Sequence, residues 1–501
     1  MANSNHLTEL IAFLQDKGYV WGPEPEIYNG VSGFYTYAPL GKLLKNNIEN
    51  KIREFFIKNE FWEVECPTIM PKIVWEASGH LEGFTDPIIF CSICNASYRA
   101  DKILEEQLPN QGYTINDILP LIKENKLKCP SCKGNFKMEL LSHELMMKTT
   151  VGLDLEAYNR PETATTTYLP FNRYTTFFRN KIPFGVFQIG KAFRNEISPR
   201  QHILRMREFT QAEAQLFIFE NEKNNFSKFE KIKKEKIILW PAKTQLEKEI
   251  PFDIEIEEAL EKKLFKNKAY AWTVFSAYDL FLSFGIPKDR IRVRQHRDDE
   301  KAFYADDAWD IEINLKSFGW EEICGIHDRT NYDLKKHMEK SGQSFETRNE
   351  TAGKKEIPHI LEIAFGTDRP TFALLDLFYT KEDKEDAKTM FKVPYSMAPI
   401  KTAIYPLVKK EGQPELAYKI YEKLSKHFVC IYDESGSIGR RYLRAAEQGI
   451  PYCITVDFDT LKDKTVTIRD RDTEEQKRIK IDNLIEIIDD LISGKINFNN
   501  F

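Results

Sequence analysis

The sequence predicts an α/β protein of the α+β kind: a large domain on an antiparallel β-sheet with flanking helices, followed by a small C-terminal α/β domain. Three observations predict it. The chain has 501 residues, too many for one hydrophobic core, so two or three domains are expected. From Ile27 to Val393, strand-like and helical segments alternate irregularly, without the strand–helix repeat of a doubly wound parallel sheet. Beyond Lys381-Glu-Asp-Lys-Glu-Asp386, a charge run expected to be an exposed crossing, strand and helix alternate regularly.

Composition narrows the class. A 42% hydrophobic share and abundant charge of both signs with a net of −5 describe a globular enzyme, not a disordered or fibrous chain. There is no overall basic excess, so any contact with nucleic acid must come from local clusters. Met1 to Val20 is polar, and no later stretch holds about 18 consecutive apolar residues. Neither a signal peptide nor a membrane span is expected, and the location is read as cytoplasmic.

Four of the eight cysteines, Cys66, Cys324, Cys430 and Cys453, stand among apolar neighbours and read as reduced, buried thiols. The others form two knuckles, Cys91-Ser-Ile-Cys94 and Cys129-Pro-Ser-Cys132. Each can point two thiolates at one centre, and Gly134 after the second suits the tight turn of a tetrahedral zinc site. Four sulfur ligands leave no open position for water, so the metal is expected to hold the fold of a ribbon-like insertion over 87–140. A second interruption, 220–268, is dense in Lys and Glu and reads as a charged surface insertion.

Candidate chemistry gathers in three segments of the large domain. Phe193-Arg194-Asn195-Glu196 and Arg205-Met206-Arg207-Glu208-Phe209-Thr210-Gln211-Ala212-Glu213 bracket a loop and should lie on adjacent antiparallel strands. Arg194 and Arg205 suit phosphate, whereas Glu196 and Glu213 can accept from an amine; an exposed charged hairpin explains the same residues equally well. Glu362-Ile-Ala-Phe-Gly366-Thr-Asp-Arg369 runs from a strand into the helix Pro370 to Phe378, a turn suited to phosphate near a cation and a helix N-terminus. Tyr158-Asn-Arg-Pro-Glu162-Thr-Ala holds a carboxylate in a stiff turn, which taken alone reads as turn capping.

These segments together resemble a known family. FRNEISPR…RMREFTQAE is similar to the second signature motif of class II aminoacyl-tRNA synthetases, and EIAFGTDR to the third. Glu65-Cys66-Pro67 resembles the proline-centred first motif, which forms a dimer interface in that class. More narrowly, Gly33-Phe-Tyr-Thr-Tyr-Ala-Pro-Leu-Gly41, Ser78-Gly-His80, Tyr98-Arg-Ala-Asp101, Arg160 to Ala164, and Ser435-Gly-Ser-Ile-Gly-Arg-Arg441 resemble glycyl-tRNA synthetases of the α-dimer type. The likeness covers nearly the whole chain, in order.

The resemblance implies a class II catalytic domain over 1–393 and an anticodon-binding domain over 394–501. It also implies a homodimer with glycine, ATP with Mg2+, and tRNA(Gly) as substrates. For ATP it implies Arg194, Asn195, Glu196, Leu204, Arg205, Met206, Arg207, Glu208, Phe209, Glu322, Ile323, Gly366, Thr367, Asp368 and Arg369, with Arg194, Glu196 and Arg369 catalytic. Arg194 bridges the α-phosphate and the glycine carboxylate in this scheme. Arg205 takes the γ-phosphate, Phe209 and Arg369 sandwich the adenine, and Glu322 helps hold magnesium. For glycine it implies Arg99, Glu162, Phe209, Gln211, Glu213, Arg329, Glu362, Ile363 and Ala364. Near the anticodon it implies Arg440, Arg441, Arg444, Arg469 and Arg471. The chain departs from the family twice: Glu362-Ile363-Ala364 stands where Glu-Pro-Ser is usual, and Thr165-Thr166 where Gln-Gly follows the RPETA motif. Proline or threonine synthetases, and a binding protein built on the same fold, are the rival readings. The first lack the RPETA and SGSIGRR wording, and the second should have lost the phosphate-binding arginines.

Overall fold

The structure is a computed structural model that describes residues 4–108, 114–197, 199, 201–301, 305–381 and 389–500. Most of the charge run after Lys381 lies outside the described residues.

A nine-stranded sheet forms the body of the large domain. In chain order its strands are β1 (Phe61–Glu63), β2 (Phe184–Phe193), β3 (Glu208–Ile218), β4 (Lys236–Trp240), β5 (Phe252–Glu255), β6 (Ile291–Gln295), β7 (Asp307–Leu315), β8 (Gly319–Thr330) and β9 (His359–Gly366). Their spatial order is β5-β4-β6-β7-β8-β9-β3-β2-β1. Pairing is antiparallel except for β1 with β2 and β4 with β6. An antiparallel sheet can offer two different faces, because successive side chains alternate. On β3, Ala212, Ala214, Leu216 and Ile218 enter the main apolar core. Gln211 and Glu213, of opposite parity, are buried on the other side, where the site lies.

Three helices cover the core face: α1 (Pro39–Lys58), α2 (Lys268–Ser283) and α3 (Asp368–Phe378). The α2 sequence KAYAWTVFSAYDLFLS is apolar almost all round and accordingly buried along most of its length. Asn267 caps it by accepting from the Tyr270 N–H at 2.8 Å, a bond worth about 1 kcal/mol.

The segment 220–268 is more than the surface insertion its charge suggests. It supplies β4 and β5, the edge of the main sheet, and Ile237, Leu239, Ile254 and Ile256 reach the core. Its Lys and Glu residues form ion pairs on the outer face, such as Lys234 with Glu257 at 2.7 Å. The charge density reported that wet face and masked the alternating apolar one.

The cysteine segment has its own three-stranded sheet (Thr85–Phe90, Ser97–Arg99 and Leu141–Glu144), two helices and a separate apolar core around Ile89, Ile103, Ile118 and Phe136. The turn after each knuckle falls on a left-handed residue, Asn95 (φ 58°) and Lys133 (φ 60°), and not on Gly134.

The C-terminal domain contains β10 (Thr402–Pro406), α4 (Gln413–Leu424), β11 (Cys430–Tyr432), α5 (Ile438–Glu447), β12 (Tyr452–Val456), β13 (Thr465–Asp470), β14 (Gln476–Lys480) and α6 (Leu484–Ser493). Strand order is β11-β10-β12-β13-β14. Pairing is parallel among β11, β10 and β12, as the regular alternation of strand and helix favours, and β13 and β14 add an antiparallel hairpin. Among the described residues no helix is long and apolar enough to cross a membrane.

Candidate active site

One cavity on the outer face of the sheet collects most of the residues singled out from the sequence. β2 and β3 pair directly, with Gln188 opposite Glu213, and β3 pairs with β9, with Glu213 opposite Ala364. β8 continues the row, with Gly325 opposite Ala364 and His327 opposite Glu362. Period-two alternation therefore puts Phe209, Gln211 and Glu213 of β3 with Glu362, Ala364 and Gly366 of β9, and Gly325, His327 and Arg329 of β8, on one face. A bulge restores Glu322 to that face: Glu312 pairs with Glu322 and Ile311 with Cys324, which leaves Ile323 unopposed.

The turn bearing Glu162 is clamped from below. Arg160 is buried and donates to the carbonyls of Lys191 (2.7 Å) and Cys66 (3.0 Å), to Thr166 Oγ1 (3.2 Å) and to Gln188 Oε1 (3.0 Å). Thr165 Oγ1 donates to Glu162 Oε1 at 2.7 Å, and Thr166 Oγ1 donates to the Thr163 carbonyl at 2.9 Å. Both threonines of the Thr165-Thr166 departure thus take part in holding the turn.

Three carboxyl groups, the buried Glu213 and Glu362 and the partly buried Glu162, line the same cavity and are shifted in different directions. Burial would raise Glu162, but His80, whose Nε2 lies 3.6 Å away, and Arg329 override it, so its carboxyl sits well below the usual range. Glu362 is likewise held low against burial, chiefly by Arg329 and by His327 at 3.2 Å. Tyr168 donates to its other oxygen at 2.8 Å. Glu213 goes the other way: burial and the charges of Glu362 and Glu162 push it well above its ordinary value, although Thr163 Oγ1 donates to it at 2.7 Å. The cavity therefore presents two carboxyl groups that favour the ionised form and one that holds its proton more tightly.

Cations and a ring line the opposite end. Arg194 Nε donates to the Pro161 carbonyl at 3.1 Å, and its guanidinium lies 5.4 Å from the centres of both the Phe84 and Phe209 rings. Arg205 reaches Glu196 at 3.5 Å, and Arg369 pairs with Glu322 at 3.1 Å. Leu204 and Met206 complete the apolar wall, and Glu196 is buried beside them.

Other expected residues lie elsewhere. Arg207 donates to the carbonyls of Glu196, Ile197 and Ser32, and so ties two loops together. Glu208 has the wrong parity and meets Lys191 at 3.0 Å. Asn195 turns its side chain to the Glu144 carbonyl at 3.4 Å. Ile323 and Ile363 point into the core. Thr367 is buried against Glu49 and the Thr210 carbonyl. Asp368 lies at the cavity edge, but its carboxylate accepts from Lys45, from Tyr37 (2.6 Å) and from the Thr210 N–H (2.8 Å). Arg99 meets Asp86 and Asp101 beside the ribbon and not the acidic pocket, which Arg329 reaches through Glu362 while also pairing with Asp333 at 2.8 Å. Sequence reading names His80 and Thr163 only as members of motifs, without a role, and His327 not at all; two-residue spacing from Arg329 was the signal available for His327.

The four knuckle sulfurs converge, with Cys91 to Cys132 at 3.4 Å, Cys94 to Cys129 at 3.7 Å, and all four within 4.8 Å of one another. Tetrahedral zinc with sulfur ligands needs S···S edges of about 3.8 Å, so this donor set fits the ion.

The arginines of the C-terminal domain divide. Arg440 is exposed, Arg444 pairs with Asp433, and Arg469 lies over the Tyr442 ring and meets Glu474 at 2.9 Å. Arg441 and Arg471 are buried, against expectation. Arg441 donates to the Pro406 carbonyl at 2.6 Å. Arg471 donates to the carbonyls of Phe391 (3.1 Å), Gly449 (3.0 Å) and Val393 (2.9 Å), so it ties the domain to the strand entering it.

Known proteins match this arrangement. Residues 153–378 match the tRNA synthetase class II core domain (G, H, P, S and T), and 401–491 match an anticodon binding domain. The glycine–tRNA ligase of Pyrococcus horikoshii is 39% identical, over 96% of this chain and 98% of its own length. The glycine–tRNA ligase of Methanococcus vannielii is 36% identical over the same shares. Among solved structures, Giardia lamblia prolyl-tRNA synthetase with prolyl-adenylate covers 98% of this chain and 80% of its own, with a TM-score of 0.62 at 13% identity. That likeness speaks for the fold alone.

Proposed function

Since the chain belongs to the glycine–tRNA ligase family of class II synthetases, we propose that it activates glycine with ATP and transfers the glycyl group to the 3′ end of tRNA(Gly). The observation that carries the site assignment is the convergence of Glu162, Glu213 and Glu362 in one cavity with Arg194, Arg205 and Arg369. Three acidic groups favour a primary ammonium, and the arginines at the other end favour the triphosphate.

On this reading Arg194 neutralises charge as the glycine carboxylate oxygen attacks the α-phosphorus in line and pyrophosphate leaves. Arg205 holds the γ-phosphate. Phe209 and Arg369 take the two faces of the adenine, and Glu196 accepts from its amino group. Glu322 would help to hold a magnesium ion brought in with ATP. A ribose hydroxyl of the tRNA end then attacks the glycyl carbonyl and AMP leaves. Positioning and electrostatics suffice, with no covalent bond to the protein. Arg194→Ala should lower glycine-dependent ATP–pyrophosphate exchange by ~100-fold or more and leave thermal melting unchanged. Exchange within about tenfold of the parent would show that Arg194 does not meet the reacting groups.

We further infer that Cys91, Cys94, Cys129 and Cys132 hold a structural zinc. Arg440, Arg444 and Arg469 are the anticodon-side contacts that remain open to RNA. The protein is read as a cytoplasmic homodimer. The dimer rests on an exposed apolar patch beside edge strand β1, where Trp62 is 55% and Phe177 62% exposed with ring centres 5.4 Å apart. Sedimentation at twice the chain mass checks it.

A further inference from the structure

The reading above leaves the floor of the amino-acid pocket unassigned, and the inference here rests on that reading. Gly325 of β8 and Ala364 of β9 stand directly opposite each other in the floor, and together they offer one methyl group. Such a floor is too open to reject a substrate carrying a side chain. His327 fills the gap. Two residues along β8, it shares the face of Gly325 and leans its ring back across it. A Cβ placed on Gly325 would lie 2.7 Å from His327 Cε1 and 3.4 Å from Nε2. Glycine at 325 is what lets the ring lie there.

The ring is held from several sides. Nδ1 lies 3.2 Å from Glu362 Oε1, the carboxylate that Arg329 and Tyr168 also hold. The His296 ring stands nearly perpendicular at 6.2 Å, itself fixed by Asp310 at 2.6 Å, and restricts movement toward β7. Nε2 has no protein partner among the described residues, and the side chain is 17% exposed to the cavity.

We propose that His327 is the specificity-determining floor of the glycine pocket. Its ring occupies the volume that a substituent on the substrate α-carbon would need, and Nδ1 keeps Glu362 aimed at the ammonium.

The test is ATP–pyrophosphate exchange with glycine, alanine and serine on the full chain. His327→Ala should raise the alanine-to-glycine ratio of kcat/KM about tenfold or more, because one methyl group in a fitted pocket discriminates on that scale. The KM for glycine should rise and that for ATP stay put. His327→Asn keeps a donor near the Nδ1 position but lacks the outer half of the ring. It should restore the KM for glycine and still admit alanine, a split that a merely structural role would not produce. Glu362→Gln is measured beside them as a check on the pocket. If both His327 variants keep the parent's alanine-to-glycine ratio within twofold while Glu362→Gln raises the KM for glycine, the floor assignment is overturned and the pocket stands. If Glu362→Gln leaves the KM for glycine unchanged as well, the pocket assignment fails with it.

Discussion

Glu213 shows how a single side chain can couple binding to pH. Burial and two neighbouring carboxylates hold its proton on, while Thr163 and Gln211 donate to its oxygens and Arg329 lies near. A glycine ammonium entering beside it favours the ionised form, so binding should release a proton. The sign follows: a carboxyl with a raised pKa binds more protons in the empty site than in the occupied one, so glycine affinity rises with pH up to that raised value. Calorimetry of glycine binding in two buffers of different ionisation enthalpy, repeated across pH, should show protons released on binding. Glu213→Gln should abolish the difference between buffers. Equal apparent enthalpies for the parent protein in both buffers would mean that Glu213 is already ionised.

At this scale parity decided what could be read from sequence. Phe209, Gln211 and Glu213 are separated by two residues and share the site face, whereas Glu208 between Arg207 and Phe209 points away to Lys191. Arg441 and Arg471 misled because an arginine spent on backbone carbonyls, or like Arg471 also on the Asp472 carboxylate, has the same letter as one waiting for phosphate. His327 escaped notice because its role depends on Gly325 and on a strand paired across the sheet, neither of which short motifs record.

Among the elements, the cysteine ribbon stands apart energetically. Its apolar core is small and separate from the main one, so a zinc held by the four sulfurs would supply much of its stability. Freshly purified protein should carry about one zinc per chain, and Cys91→Ser combined with Cys94→Ser should lose the metal and expose the ribbon to protease. Metal-free protein with the ribbon still protease-resistant would contradict this. The knuckles were legible because ligand spacing is local. The left-handed turns at Asn95 and Lys133 were not, since any residue can be held there when bonds around it compensate. Segment 220–268 taught the opposite lesson, because its edge strands alternate and only their wet side is charged.

For the molecule as a whole, a sheet built from distant segments brings Glu162, Glu213, Arg329, Glu362 and Arg369 into one cavity. Irregular alternation of elements pointed to the antiparallel sheet, but its strand order rests on long-range pairing that no local pattern encodes. The C-terminal domain docks through Arg471 onto the segment leaving the large domain. The direct test of the account is the acylation of tRNA transcripts by purified protein with ATP and each of glycine, alanine, proline and threonine. The account predicts charging of tRNA(Gly) with glycine only, together with release of AMP and pyrophosphate. Charging with proline or threonine, or no acylation by a folded, zinc-loaded protein, would contradict it.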